Sequence, residues 1–363
     1  MELIRTELTP RERLQLYSRG EEVDRIPTAV GAHETIPILY GISQREYYFS
    51  ADRMVEVETR MAEDFDADNM GIGLGLRTLV EALGTKLHYC DDNVSSVETP
   101  AIRDYAELDG RGPADIETDG RLPMIMEAFE RLMETFGEER VFGTGLAGPV
   151  TTAMELVGVE KFLMDSIREP ENIQKLLRYT TMCVVRCARD IHQKLGISLS
   201  ISEPMASREI FSLKQFRKFA LPALEETVKG FETFQGAPGL HVCGRSRDRW
   251  EDLVNLGISS FSIDNCESIA ELKALYGDRV AIPGNIAPVD VLRFGTPADV
   301  ESAVKQNILD AGDAPLGYRV NAGCTVPVGT PMENMIAYMN AAAIYGRGAR
   351  KGVMPKGITE EKA

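Results

Sequence analysis

The sequence predicts an α/β fold of the (β/α)8 barrel class, the TIM barrel, and two observations support that prediction. Short apolar runs with strand-like composition alternate with helical segments along the 363 residues, and such alternation favours a parallel sheet. About eight of these runs occur, and eight units favour closure into a barrel. The predicted strands are centred on Ile26, Asp68, Val141, Ile197, Leu240, Phe261, Val280 and Tyr318.

The first hundred or so residues are predicted to add helices and a hairpin to this barrel. Thr9 precedes Pro10, which is typical of an N-cap followed by the first residue of a helix. Residues 51–64 carry apolar side chains at helical spacing. Residues 87–97 are typical of a hairpin laid over the sheet rather than of a barrel strand. We therefore expect an N-terminal helical and hairpin elaboration.

From about residue 120 the alternation becomes regular. The sequence predicts helices at 124–136, 159–167, 170–195 and around 213–229, and no internal repeat interrupts the pattern. A chain of this length suits one large barrel or two ordinary domains. Because eight units are counted, we expect residues 1–350 to form a single barrel domain. Residues 351–363 are expected to form a polar, frayed tail.

The composition argues against several classes of partner. The formal net charge is −16 and the isoelectric point is about 4.9, so no basic stripe is available for nucleic acid or an anionic membrane. No apolar run approaches the roughly 20 residues of a membrane-spanning helix, and the first residues lack the apolar core of a signal peptide. We expect a cytoplasmic protein that acts on a small molecule or on another protein.

One histidine and two of the six cysteines form a candidate metal site. Six cysteines are too few for a disulfide framework in so long a chain, so they indicate packing, metal binding or catalysis. His241 and Cys243 lie one residue apart on an apolar run, so their side chains share one face of a strand. Cys324 follows another strand-like run. Three N/S ligands suit Zn²⁺ and leave a coordination position for substrate.

Taken alone, this pattern has a structural alternative. Buried cysteine behaves as a small hydrophobic residue, and a single histidine is more often a hydrogen-bonded core residue. The predicted barrel favours the metal site, because barrel active sites lie at the C-terminal ends of strands and the three ligands end the fifth and eighth strands. Three further polar residues end strands on the same rim, namely Glu203, Asp264 and Asn285.

Five short motifs along the chain point to one enzyme superfamily. They are Asp24-Arg25-Ile26-Pro27, Gly148-Pro149, His241-Val242-Cys243-Gly244, residues 283–288 and Asn321-Ala322-Gly323-Cys324. This combination resembles the uroporphyrinogen decarboxylase superfamily, and within it the zinc-dependent, corrinoid-linked methyltransferases. The similarity covers nearly the whole chain. The metal signature of that branch, HxC with a distant cysteine, maps onto His241, Cys243 and Cys324.

The resemblance implies Zn²⁺ and a corrinoid (cobalamin) carried by a partner protein. The chain itself contains no DxHxxG-type cobalamin-binding motif. Asp264 is expected to be either a resting metal ligand that the substrate displaces or a rim carboxylate that accepts hydrogen bonds from loop amides. Glu203 and Asn285 are expected to orient the substrate or the metal ligands.

The function implied by the resemblance is methyl transfer between the partner's corrinoid and a small zinc-bound substrate. The first hundred residues resemble O-demethylase components, which favours an aryl methyl ether-like methyl donor. A coenzyme M-like thiol acceptor is the alternative. True decarboxylases carry an RQAGR motif after the first strand, whereas residues 30–35 here contain no arginine. The alternative that the chain is a non-catalytic metal-binding relative also stays open, because a protein can keep its metal ligands after it has lost its catalytic activity.

Overall fold

In the computed structural model, which describes residues 2–31 and 33–360, parallel strands surround a central cavity and helices pack outside them. Along the strands at residues 239–242, 260–263 and 318–322, side chains alternate between the cavity and the buried layer beneath the helices. The strands of the described residues are β1 (Asn69–Met70), β2 (Lys86–His88), β3 (Ser96–Thr99), β4 (Val141–Ala147), β5 (Ser198–Ser202), β6 (Gly239–Val242), β7 (Ser260–Ile263), β8 (Ile282–Ile286) and β9 (Tyr318–Ala322).

The parallel strands close into the predicted barrel. Strands β1, β4, β5, β6 and β7 pair in that order, and β8 pairs with β9. A parallel bridge between Ser260 and Ala281 joins β7 to the start of β8. On the other side, Thr28 forms a parallel bridge with Val320 of β9. The carbonyl of Thr28 also accepts a hydrogen bond of 3.0 Å from the backbone N–H of Asp68, just before β1, so Thr28 links β9 to β1.

The first predicted strand, centred on Ile26, occupies its expected place but is reduced to a bridge. Pro27 has no N–H to donate to a neighbouring strand. Its carbonyl still accepts a hydrogen bond of 2.9 Å from the backbone N–H of Val320. The segment therefore closes the barrel without forming a regular strand of several residues.

The helices follow the predicted segments closely. Residues 170–195 form one helix, as predicted, and Thr9 makes a capping box with Glu12. Within the described residues, no helix combines the length and the apolar character that a membrane crossing requires. The helices are α1 (Pro10–Ser18), α2 (Gln44–Tyr48), α3 (Ala51–Phe65), α4 (Thr78–Ala82), α5 (Leu122–Phe136), α6 (Pro149–Val157), α7 (Val159–Arg168), α8 (Pro170–Leu195), α9 (Leu213–Gln215), continued by a π-helical turn at Phe216–Ala220, α10 (Leu221–Glu232), α11 (Trp250–Val254), α12 (Ile269–Tyr276), α13 (Pro297–Ala311), α14 (Met332–Tyr345) and α15 (Lys356–Thr359).

The predicted hairpin is confirmed and lies beside the cavity. Strands β2 and β3 are antiparallel, with Leu87 opposite Val97. Tyr89, just after β2, packs edge-on against Tyr48, and the ring centroids are 5.2 Å apart. The loop between the two strands contributes residues 92–94 to the lining of the cavity. The N-terminal elaboration thus forms part of the cavity wall.

A buried ion cluster attaches the first helix to the barrel. The fully buried carboxylate of Asp68 accepts hydrogen bonds from Nη1 of Arg13 and, at 2.6 Å, from Nη1 of Arg25. Arg13 also donates from Nε to Asp24 Oδ1 at 2.7 Å. Removing one partner of such a cluster leaves an uncompensated buried charge, at a cost of about 3–5 kcal/mol. The cluster therefore fixes α1 against the start of β1.

The C-terminal segment is ordered as far as it is described, contrary to the expected fraying. Helix α15 packs against α14, and Ile358 is buried there. The backbone N–H of Gly357 also donates to the carbonyl of Arg347 at 3.0 Å. The buried side chain of Ile358 and this backbone hydrogen bond together attach the segment to the barrel. The last three residues of the predicted tail, 361–363, lie outside the described part, and a domain boundary at residue 350 stays a prediction.

Candidate metal centre

The side chains of His241, Cys243 and Cys324 converge at the C-terminal ends of β6 and β9. Nε2 of His241 lies 3.0 Å from Sγ of Cys243, and the two sulfur atoms are 3.2 Å apart. All three potential ligand atoms lie within 4.8 Å of one another. The predicted convergence of residues separated by some eighty positions is therefore present in the fold.

The three atoms lie close to the spacing that a tetrahedral zinc ion requires. With Zn–S about 2.3 Å and Zn–N about 2.0 Å, tetrahedral angles separate the ligand atoms by roughly 3.5–3.8 Å. The observed separations of 3.0 Å between Nε2 of His241 and Sγ of Cys243, and of 3.2 Å between the two sulfur atoms, are shorter, so the side chains would move slightly apart around the ion. One imidazole and two thiols are also the ligand types that zinc prefers. Because the protein offers three ligands, the fourth position would face the cavity that His241 and Cys324 line.

The neighbouring strand orients the imidazole of His241. Nδ1 lies 3.0 Å from the hydroxyl oxygen of Ser262 on β7, and the two residues are direct register partners. When Nδ1–H donates to the serine hydroxyl, the lone pair of Nε2 points at the cysteines. Ser262 thus holds the direction of this ligand, and its hydroxyl can accept the Nδ1–H of the tautomer that binds metal through Nε2.

The two thiols are in hydrogen-bond contact. This contact lowers the pKa of Cys324 and raises the pKa of Cys243. The His241 imidazole also lowers the pKa of Cys324. Metal binding requires both thiols in the deprotonated form, so a divalent ion bound here would release their protons.

Asp264, the candidate fourth ligand, is held by the loop amides. Its two carboxylate oxygens accept hydrogen bonds of 3.0 Å from the backbone N–H groups of Gly244 and Cys266. Within the described residues, the clustered ligand atoms do not include those of Asp264. This arrangement is that of a rim carboxylate that accepts hydrogen bonds from loop amides, which is one of the two roles expected for Asp264. Its other expected role, as a metal ligand that the substrate displaces, stays a prediction.

Asn285 lies beneath the same rim and holds backbone rather than facing the metal ligands. Its side-chain amide donates to the carbonyls of Asp264, at 3.0 Å, and of Glu267, at 2.9 Å. Asn285 therefore fixes the loop that carries Asp264. Its expected role in orienting the substrate or the metal ligands stays a prediction, and the observed contacts act through this loop.

Glu203 is fully buried and caps the helix that follows β4. Its carboxylate accepts hydrogen bonds from the backbone N–H groups of Val150, at 2.9 Å, and Thr151, at 2.7 Å, and from the Thr151 hydroxyl. Burial outweighs these hydrogen bonds and raises the pKa of Glu203 to about 7. Its contacts anchor α6 to the end of β5, and its expected role towards the substrate stays a prediction.

A cavity of about 1090 Å³ fills the barrel interior next to the ligand cluster. Interiors of such barrels are usually packed with bulky branched side chains. Here, apart from His241, small residues occupy inward positions of β4 to β7, which leaves space for a small molecule. These positions are Gly145, Ser200, Ser202, Gly239, Ser260 and Ser262.

Ser262, Arg319 and Asn321 lie at this site and were not among the predicted site residues. Ser262 was accessible from the sequence, because the alternation Ser260-Phe261-Ser262-Ile263 puts both serines on the inner face of a strand next to His241. Arg319 and Asn321 alternate in the same way along β9. No local pattern distinguishes an inward arginine from a solvent-exposed one, so their place in the cavity emerges only from the closed barrel.

Comparison with known proteins gives a family, relatives and a structural neighbour. The family model described as Uroporphyrinogen decarboxylase (URO-D) matches residues 9–345. The chain is 26% identical over 340 residues to a methylated-thiol–coenzyme M methyltransferase of Methanosarcina mazei, covering 93% of this chain and 89% of that protein. It is 27% identical over 346 residues to the methylcobamide:CoM methyltransferase MtaA of Methanosarcina barkeri, covering 94% and 99%.

The structural neighbour is described as a methyltransferase from Methanosarcina mazei. It superimposes with a TM-score of 0.81 at 24% sequence identity, covering 93% of this chain and 98% of that one. This likeness confirms the predicted fold. The names of the relatives confirm the predicted resemblance to corrinoid-linked methyltransferases and the prediction of an enzyme. They contain coenzyme M and methylcobamide, so they agree with the thiol alternative and do not confirm an aryl methyl ether.

Proposed function

The chain belongs to the uroporphyrinogen decarboxylase family, and from that premise we propose that it transfers a methyl group from a corrinoid to the sulfur of a small thiol. The corrinoid is carried by a partner protein that docks over the barrel mouth. A relative named as a methylcobamide:CoM methyltransferase matches 94% of the chain, and one named as a methylated-thiol–coenzyme M methyltransferase matches 93%. We therefore prefer a thiol as the substrate over the aryl methyl ether that the resemblance of the N-terminal residues favoured.

The observation that supports this proposal is the cluster of His241, Cys243 and Cys324 at the edge of the cavity. These residues would hold a zinc ion with three protein ligands, and a thiol entering from the cavity would supply the fourth. When bound, zinc favours the deprotonated form of such a ligand near neutral pH. Near neutral pH a free thiol is mostly protonated and is a weak nucleophile, so this is the chemistry the transfer needs.

The surrounding residues of the chain position the reactants. Ser262 fixes the ring of His241, and the Asp264 carboxylate holds the backbone N–H of Gly244, the residue after Cys243. Both contacts restrict the ligand atoms before the substrate arrives. Serine and glycine residues along the cavity leave room for the thiol, and the serines supply hydroxyl groups for hydrogen bonding.

The proposed reaction balances without a further reagent. The thiol first releases its proton to solvent. The thiolate sulfur then uses an electron pair to form the S–C bond, the Co–C bond of the methylated corrinoid breaks, and its electron pair stays on cobalt as Co(I). The products are a methyl thioether, the Co(I) corrinoid and one proton. The contribution of this chain is to bind the thiol and to present its sulfur at the mouth of the barrel.

The test is an anaerobic assay with zinc-loaded protein, methylcobalamin and either 2-mercaptoethanesulfonate or 2-mercaptoethanol. We expect the absorption of methylcobalamin to give way to that of cob(I)alamin, with one methyl thioether formed per cobalt. The Cys324→Ala variant serves as the control and should be inactive. Methylcobalamin formation from cob(I)alamin and an aryl methyl ether, in place of thiol methylation, would replace the proposal with ether demethylation. Absence of turnover in both assays with zinc bound would overturn it in favour of a non-catalytic relative.

A further inference from the structure

The sulfur atoms of Cys243 and Cys324 are within reach of a covalent bond. They lie 3.2 Å apart, whereas the S–S bond of a disulfide is about 2.0 Å long. Bond formation would require the two atoms to approach by only about 1.2 Å, which rotation of the side chains can supply. The two residues are 81 positions apart in the sequence, so the closed barrel alone brings their thiols together.

A small oxidant can reach this pair of thiols through the cavity. Both cysteines are half-buried, and Cys324 lines the cavity of about 1090 Å³. A peroxide molecule is far smaller than this space. The path by which a small thiol would enter therefore also admits a peroxide to the two sulfur atoms.

Three of the other four cysteines do not share this arrangement. Cys183 and Cys187 are fully buried in α8, four residues apart. Residues at this spacing on a helix have Cβ atoms about 5–6 Å apart, beyond the roughly 3.5–4.5 Å that a disulfide requires. The sulfur of Cys90, near the hairpin, contacts the carbonyl oxygen of Asn93 at 3.3 Å.

Cys266 is the competing oxidation site, because it is exposed on the rim. The loop that carries it is fixed from below, since the amide of Asn285 donates to the carbonyls of Asp264 and Glu267. This loop would have to move before Cys266 could bond to Cys243. Exposure therefore favours oxidation of Cys266 alone, whereas proximity favours a bond between the two half-buried cysteines.

We propose that Cys243 and Cys324 form a reversible oxidation site, at which peroxide closes a disulfide bond and releases the zinc ion that the two thiolates would hold. One thiolate attacks a peroxide oxygen, the O–O bond breaks, and a sulfenic acid and hydroxide form. The second thiolate attacks the oxidised sulfur, the S–S bond forms, and a second hydroxide leaves. The sulfur atoms lose two electrons, and the peroxide gains them and takes two protons from solvent to give two water molecules.

Loss of the metal follows from the chemistry of the ligands. The thiolate is the form of cysteine that binds a metal ion, so the disulfide leaves His241 as the one remaining ligand of the cluster. A small thiol reverses the change by thiol–disulfide exchange. Two thiol molecules restore both cysteines and leave as their own disulfide, after which zinc binds again.

The oxidation site rests on the metal centre and not on the identity of the substrate. Under the proposed function it has a further consequence, because the Co(I) product of methyl transfer is a strong reductant that peroxide also oxidises. Release of zinc would therefore stop the enzyme under the conditions that consume its cobalt product.

The first experiment follows zinc and mass together. Zinc-loaded wild type, free of thiols and of air, is treated with hydrogen peroxide beside an untreated sample, and a chromophoric chelator reports the zinc released. We expect one zinc ion per chain to be released and the intact mass to fall by the mass of two hydrogen atoms. Retention of zinc, or a gain of oxygen atoms in place of the loss of hydrogen, would overturn the proposal.

The second experiment identifies the bond. Trypsin leaves Cys243, Cys266 and Cys324 on three separate peptides, 230–245, 250–273 and 320–347. After alkylation without reduction, peptide 230–245 should be joined to peptide 320–347, and Cys266 should be alkylated. Cys266→Ser is the matched control and should form the same bond. A bond between peptides 230–245 and 250–273 would instead identify Cys266 as the partner and overturn the proposal.

The third experiment tests reversal. Treatment of the oxidised protein with 2-mercaptoethanol should restore the original mass and the zinc content of wild type, and a permanent loss of zinc binding would contradict a reversible site. In Cys243→Ser, peroxide should leave a sulfenic acid on Cys324 that dimedone traps, while circular dichroism checks the fold. If this variant does not fold, the peptide map of wild type decides. These readouts do not use methyl transfer, so the oxidation site and the proposed function can fail separately.

Discussion

The hydroxyl oxygen of Ser262 lies 3.0 Å from Nδ1 of His241, and the two residues are register partners on neighbouring strands. The orientation of the imidazole is therefore set by strand pairing in the barrel wall rather than by a loop. Its other nitrogen, Nε2, lies 3.0 Å from the sulfur of Cys243. A metal ligand built on paired strands is held more precisely than one on a loop.

Replacing Ser262 by alanine should weaken zinc binding about tenfold, because the imidazole loses the hydrogen-bond partner that holds its direction. Competition with a chromophoric chelator measures the affinity. Ser260→Ala is the matched control, since Ser260 lies on the same face of the same strand and lines the cavity. Equal losses in both variants would show that the hydrogen bond to His241 has no special role.

Cys324→Ala should lose most of the zinc that wild type retains on purification, because two protein ligands replace three. Elemental analysis of protein purified without added zinc gives the metal content. Treatment with a chelator should lower the melting temperature of wild type and leave that of the variant unchanged. Cys90→Ala, which removes a thiol near the hairpin, should behave like wild type. A metal-free wild type would contradict the proposed centre.

Asp264→Asn should weaken zinc binding while leaving the coordination sphere of the bound ion unchanged. The carboxylate uses both oxygens to hold the N–H groups of Gly244 and Cys266, and an amide can accept at only one of these positions. The absorption spectrum of the Co²⁺-substituted protein without thiol reports the coordination. A clear spectral change between wild type and the variant would instead identify Asp264 as the displaceable fourth ligand.

Glu203→Ala should lower the free energy of unfolding by about 3 kcal/mol, because two buried backbone N–H groups and the Thr151 hydroxyl lose their acceptor. Urea unfolding measures the change. Glu203→Gln keeps the shape and one acceptor oxygen, and it should lose less. A stable Glu203→Ala variant with reduced methyl transfer would favour the substrate-orienting role instead.

Local patterns in the sequence determined most of the elements. The helix at residues 170–195 was predictable because proline at its start and unbroken helical spacing act within a few turns. The extent of the first strand was overestimated. The apolar run around Ile26 predicts a regular strand, but Pro27 limits the pairing of this segment to a single bridge. The order of the polar tail was underestimated. Ile358 is buried, and its burial depends on helices whose packing the sequence of the tail does not show.

The sequence by itself determined the ligand chemistry: the period of a strand puts His241 and Cys243 on one face, and their residue types select a soft divalent ion. Only the closed barrel decided which groups surround them. Ser262 contacts His241, Asp264 accepts hydrogen bonds from the loop amides, and Arg319 lines the cavity. Spacing along a strand is a local property of the chain, whereas pairing between strands and neutralisation of charge depend on residues that only folding brings together.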